Sequence, residues 1–156
     1  MEIRFLFVGR AKAAYIEAGV ADYVSRLGRY LKAEVRLIKA APHRKGQGEA
    51  QALGAEAARL EAHLSDVDYV ICLERGGQPL SSEGLARTIE GLMLRGVKRV
   101  AFVVGGMAGL PAQIAARANL LLSLGPMTFT HEMARLILVE QIYRALTIRA
   151  GEPYHK

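Results

Sequence analysis

Apolar positions along this chain switch back and forth between two rhythms. Residues 2–8 alternate and then turn wholly apolar, which predicts a strand. Residues 14–31 carry Tyr15, Ile16, Val20, Tyr23, Val24 and Leu27 at helical spacing. Over 34–38, Val35 and Leu37 alternate with Arg36, predicting a strand with one wet face. Pro42, Gly46 and Gly48 mark a loop. Residues 49–64 then read as an alanine-rich helix with Leu53, Ala57, Leu60 and Leu64 on one face. A buried strand follows at 67–73, and Ser81 or Ser82 caps a helix that stops at Gly96. Strand 99–104, helix 111–118 with Pro111 in its first turn, strand 120–124 and helix 131–148 complete the set. The last helix is apolar on nearly every face, so it must be buried on more than one side, and a subunit interface is expected there.

Five alternations of strand and helix predict an α/β fold: a parallel-rich sheet with helices on both faces, in one domain over 1–156. Ligands of such sheets bind beyond the carboxyl ends of the strands. Three exits are irregular: Leu73-Glu74-Arg75-Gly76-Gly77, Val104-Gly105-Gly106-Met107-Ala108-Gly109 and Leu124-Gly125-Pro126-Met127. The second matches neither the dinucleotide fingerprint nor a phosphate loop, since no Gly-Lys-Ser/Thr occurs. Taken locally it is either a tight turn needing positive φ or a loop that brings backbone close to a ligand. Thr130 is placed to cap the last helix, and Glu132 suits its dipole. His131 is read either as a helix-start hydrogen-bonding group or as a catalytic one. Glu140 and Arg144, four apart, read as an intrahelical pair.

Composition narrows the field. Hydrophobic residues at 51% and aromatics at 6% fit an aliphatic interior. Cys72, the single cysteine, excludes an intrachain disulfide and reads as a core thiol. The first residues read as a strand and not a signal peptide, and no run of about 18 apolar residues exists to span a membrane, so a cytoplasmic protein is expected. Four scattered histidines predict no metal site. A net charge of +6 suits phosphate contact, with basic clusters at His43-Arg44-Lys45, at Arg95, Lys98 and Arg99, and at Arg149, His155 and Lys156.

Several short motifs in fixed order carry a resemblance. They are the strand and Gly-Gly loop over 103–110, Ser123-Leu124, Met127-Thr128, His131, Leu138-Val139-Glu140-Gln141 with Tyr143-Arg144-Ala145, and the closing Pro153-Tyr154-His155. With them the sequence resembles the ribosomal large subunit methyltransferase H family, 23S rRNA pseudouridine-N3-methyltransferases of the SPOUT class. The resemblance implies an α/β sheet with a C-terminal trefoil knot, against the usual expectation of unknotted chains. It implies S-adenosylmethionine as methyl donor, bound by Leu73, Gly106 and the run Pro126, Met127, Thr128, Phe129, Thr130 and His131. It implies a homodimer in which one subunit's tail approaches the other's donor, and a substrate pseudouridine in the helix 69 stem-loop of 23S rRNA on the assembled ribosome.

The chemistry so implied is alignment of an already activated methyl group with a nitrogen that must lose its proton. His155, Tyr154 and Arg144 are the candidate catalytic residues, unranked by the sequence. The chain departs from the family pattern at Met107-Ala108, where Pro-Glu is frequent, at Thr130 for proline, and at Lys156 for arginine. Lysine keeps the charge and loses the planar fork. A non-catalytic nucleotide- or RNA-binding module of the same fold is the alternative reading. A nicotinamide oxidoreductase is disfavoured by the missing fingerprint.

Overall fold

A computed structural model describes residues 1–42 and 48–155. The predicted basic cluster at 43–45 and the terminal Lys156 lie outside those residues. Ten elements alternate: β1 (Glu2–Val8), α1 (Ala14–Leu27), β2 (Lys32–Ile38), α2 (Glu49–Leu64), β3 (Tyr69–Pro79), α3 (Ser82–Leu94), β4 (Arg99–Val104), α4 (Ala112–Arg117), β5 (Leu120–Ser123) and α5 (His131–Arg149). A 3-10 turn, Pro153–His155, ends the described chain. The five strands form one sheet in the order β2-β1-β4-β3-β5, and every pairing is parallel.

Alternation along each strand sorts its side chains between two cores. Ile3, Phe5 and Phe7 of β1 join Val100, Phe102 and Val104 of β4 under α1, α3 and α5. Leu6 and Val8 join Val70, Cys72, Ala101 and Val103 under α2 and α4. Both faces of the central strands are therefore covered, as parallel sheets require. Cys72 is fully buried, and that burial pushes its thiol up to about 12, which fits a core group with no acid–base role. No helix among the described residues is long and apolar enough to cross a membrane.

Three features depart from the sequence reading by more than a residue or two at an element's end. Helix α1 stops at Leu27 instead of 31, because Gly28 opens a turn; Tyr30 and Leu31 still pack on the core, which extends the apolar rhythm past the helix. On β2 the expected dry face is incomplete, with Leu37 49% exposed at the sheet edge. Strand β3 runs on to Pro79 through a bulge, where Leu73 and Gln78 both stand opposite Leu122. Gly77 allows this, since a Cβ there would lie 2.6 Å from the Leu121 carbonyl oxygen.

Helix α5 explains its own all-round apolarity. It lies against α1 and α3 over the sheet, and none of its residues from His131 to Ile148 is exposed. Much of its apolar surface is thus covered within one chain, while Met133, Leu136, Ile137 and Ile148 remain half-buried there.

Candidate active site

Strands β4, β3 and β5 are neighbours, so their three irregular exits converge at one end of the sheet. They enclose a cavity of about 670 Å³ whose wall includes Leu73, Gly106, Met127, Thr128, Phe129, Thr130 and His131. Seven of the eight positions assigned to donor binding therefore meet at one place. The eighth, Pro126, is exposed and lies off the cavity wall.

Each exit is shaped by a specific local device. After β4, Gly105 admits no side chain, because a Cβ would collide with the Gly109 carbonyl group. Gly109 takes φ +85° and donates its N–H to the Gly106 carbonyl oxygen at 3.1 Å, closing a small turn. The positive φ expected of this loop thus falls on Gly109, while Gly105 serves close approach. Gly106 faces the end of β1, where a Cβ would stand 3.2 Å from Val8 Cγ1. After β5, the Ser123 hydroxyl donates toward the Arg75 carbonyl oxygen at 3.2 Å and accepts from Gly125 N–H at 3.2 Å, tying the β3 bulge to the β5 exit. Gly125 sits at φ +110°, a region that favours glycine. Thr130 then caps α5, its hydroxyl accepting from the Met133 amide at 3.2 Å.

His131 opens α5 on the cavity wall. Burial, and then the neighbouring Arg135 guanidinium, lower its pKa below the ordinary imidazole value. It therefore stands neutral at pH 7 and can accept or donate one hydrogen bond there.

The residue run at the sheet's end has matching relatives. The family described as "Predicted SPOUT methyltransferase" matches residues 1–155. "Ribosomal RNA large subunit methyltransferase H" of Streptococcus thermophilus (strain CNRZ 1066) is 42% identical over 159 aligned positions, covering all of both chains. The protein of that name from Bifidobacterium adolescentis is 43% identical, again covering both chains in full. The chain belongs to the SPOUT methyltransferase family. A solved structure, a probable methylase family protein from Haemophilus influenzae, aligns with 99% of this chain and 70% of its own at TM-score 0.59 and 13% identity. A probable methyltransferase from Bordetella pertussis aligns at TM-score 0.56 and 20% identity, covering 92% and 95% of the two chains. At those identities the two structures speak for the fold alone.

In a methyltransferase of this family the tail candidates need a place, and none of them lines the cavity of its own chain. Tyr154 packs edge-on against Tyr143 with ring centres 4.9 Å apart. Its hydroxyl is 3.1 Å from Glu140 Oε1 and 3.2 Å from the Tyr23 hydroxyl. Burial and then those two hydrogen bonds hold the phenol protonated well above its ordinary value, so Tyr154 is a poor base and a good hydrogen-bond donor. Arg144 donates to Glu140 Oε1 at 2.8 Å, the expected i,i+4 pair, and its guanidinium lies 4.8 Å from the Tyr154 ring centre. His155 is exposed, with Nε2 2.8 Å from Glu83 Oε1. The cluster Arg95, Lys98 and Arg99 sits at the opposite, amino end of the strands. There Arg99 pairs with Asp66, and Arg95 stacks over the Tyr69 ring at 5.6 Å.

Two residues of the first turns of α5 escaped the sequence reading. Arg135 is 2% exposed; its Nη1 donates to the Gly9 carbonyl oxygen at 2.9 Å and its Nη2 to that of Val8 at 2.5 Å. Phe7 lies under the guanidinium at 5.4 Å, and Nε has no partner among the described residues. The readable signal was an arginine one turn before Leu138, Val139 and Ile142, where the helix period calls for an apolar side chain. Glu132, assigned only to the dipole of α5, accepts from the amides of Lys12 and Ala13 at 3.0 and 3.3 Å. It thereby ties down the two amides that lead into α1, whose N-cap Ala13 has no side-chain cap of its own. Together they fasten the β1–α1 loop beside the cavity.

Those two amide bonds lower the Glu132 pKa below the ordinary 4.5, so its hold on the loop is present above that value and is lost as pH falls through its native pKa. Glu132→Gln should cut hydrogen-exchange protection of the Lys12 and Ala13 amides several-fold at pH 7. Unaltered protein should keep that protection at pH 4.5 and show the same loss only as pH falls through the lower, native Glu132 pKa. Equal protection in the variant would remove Glu132 as the anchor of these amides.

Proposed function

We propose that this chain binds S-adenosylmethionine in the cavity between the β3, β4 and β5 exits and methylates N3 of a pseudouridine in the helix 69 stem-loop of 23S rRNA on the assembled ribosome. The observation that carries the reading is the meeting of seven donor-binding positions, drawn from three separate parts of the chain, on one cavity wall. Its volume falls in the range of small-molecule sites, and its Gly105–Gly106 floor is bare of side chains. Those features fit an adenosyl group held by backbone.

When bound, the donor supplies a methyl group already activated by its sulfonium, so the protein's task is alignment and removal of one proton. Gly106 and residues 127–131 bind and orient the donor. Leu73 and Leu122 exclude water from one side. His131, neutral at pH 7, can hold a polar group at the cavity wall. Arg144 and His155 supply cationic or hydrogen-bonding groups beside the nucleobase, and Tyr154 supplies a donor, stabilising the charge that develops as the nitrogen is deprotonated. For the tail to do so it must act on another subunit's cavity, because in its own chain it docks on α5. A homodimer, a single domain over 1–156, a cytoplasmic setting and a trefoil knot over the C-terminal part belong to the same reading.

Light scattering at low micromolar concentration should give twice the 17.0 kDa chain mass. A clean monomer would leave the tail with no cavity to serve. The central test is methyl transfer from labelled S-adenosylmethionine to intact ribosomes, with the product nucleoside identified. No labelled N3-methylpseudouridine, at any ribosome concentration, would end the proposal.

A further inference from the structure

The chain has six tyrosines and four phenylalanines, and all but Tyr15 belong to the hydrophobic cluster beneath α1, α3 and α5. Tyr15 stands apart at 66% exposure, in the first turn of α1 on the rim of the cavity. Two other large apolar side chains left in solvent, Met107 at 73% and Met127 at 70%, stand on that same rim. Isolated exposed apolar residues are ordinary, whereas several gathered at the mouth of a site mark a contact surface. The loop that leads into Tyr15 carries two exposed cations, Arg10 and Lys12. That loop is held firmly, by Glu132 on the Lys12 and Ala13 amides and by Arg135 on the Gly9 carbonyl.

An exposed ring on a fixed loop, beside cations and at the mouth of a cavity, has the chemistry of a nucleobase platform. Single-stranded RNA is recognised by stacking splayed bases on aromatic faces, with neighbouring basic groups meeting the phosphates. We propose that Tyr15 stacks on an unpaired base of the rRNA substrate next to the base that enters the cavity, with Arg10 and Lys12 contacting the adjoining phosphates and Met107 and Met127 bounding the stack. This rests on the rRNA reading above and adds to it a substrate-positioning residue at the β1–α1 corner. Positioning by Tyr15 requires no bond to the donor, because the ring lies at the rim, two-thirds open to solvent.

The test uses the full chain, labelled S-adenosylmethionine and intact ribosomes. Tyr15→Ala should raise the KM for ribosomes at least about fivefold, the lower end of what one base–aromatic stack contributes. Its kcat, its S-adenosylmethionine affinity by calorimetry and its mass by light scattering should match the unaltered chain. Tyr15→Trp should restore the KM to within about twofold, since any flat ring supports stacking. An unchanged KM in Tyr15→Ala overturns the inference. So does a parallel fall in donor affinity, which would assign the ring to the donor site, or a change in mass, which would assign it to a contact between subunits. If the unaltered chain transfers no methyl to ribosomes, the rRNA reading falls and the inference with it, whereas normal transfer by the unaltered chain with no KM change in the variant sinks the inference alone.

Discussion

Removing residues 153–156 should lower methyl transfer to ribosomes at least about a hundredfold, roughly 2.7 kcal/mol of transition-state stabilisation, while S-adenosylmethionine affinity stays within about twofold. The two measurements separate because, in the proposed reading, the tail meets the nucleobase at the partner's cavity while Gly106 and residues 127–131 hold the donor. Nor is it a frayed end: Tyr154 is anchored by Tyr143, Tyr23 and Glu140. Truncation therefore removes a packed ring as well as its hydroxyl, and thermal unfolding must be followed alongside activity. Tyr154→Phe keeps the ring on Tyr143 and removes only the hydroxyl, so it reports on hydrogen-bond donation alone. Normal turnover by the truncated chain would show that the tail serves packing and that the assignments at Tyr154 and His155 are wrong.

Gly106→Val should abolish calorimetric binding of S-adenosylmethionine and leave the fold intact, whereas Gly105→Ala should damage the fold itself. The contrast follows from what each added side chain meets. At Gly106 a Cβ comes 3.2 Å from a Val8 methyl group, which can shift by a few tenths of an ångström, and the residue itself lines the cavity. At Gly105 the obstacle is the Gly109 carbonyl, which is fixed by the turn. Overpacking against backbone is expected to cost about 1–3 kcal/mol or more of stability, visible as an earlier denaturation midpoint in Gly105→Ala. Undiminished donor affinity in Gly106→Val would take that glycine out of the site.

Much of this architecture was legible in the apolar rhythm, for a physical reason. Strands covered on both faces, such as β1 and β4, are continuous apolar runs, and helices between them carry the 3.6-residue period, so element type followed directly. Thr130 and Ser81 were readable as caps because a hydroxyl just before an apolar helical run has one main use there. What stayed hidden depends on contacts between distant segments. The bulge in β3 looks like a loop in sequence, since Glu74 to Gly77 carries neither strand period nor bulk. Arg135 stands at an apolar position of the helix period, but its partners, the carbonyls of Val8 and Gly9, lie too far away in sequence to be read. The all-round apolarity of α5 is met in part by α1 and α3 of the same chain, a packing that the helix's own sequence does not reveal. The donor-binding positions came from a family likeness; the rhythm alone located only the three strand exits that they occupy.

The clamp of Arg135 on Val8 and Gly9 joins residues 126 and 127 positions apart. During synthesis the first strand leaves the exit tunnel long before its fastener exists. The β1–α1 corner, and with it one rim of the cavity, can be completed only once α5 has emerged and docked. Contacts of such long sequence separation are slow to form, because their loop-closure entropy is met before any stabilisation arrives. A nascent chain lacking its final helix is thus a chain whose cavity wall, which includes His131, Glu132 and Ala134, is unfinished.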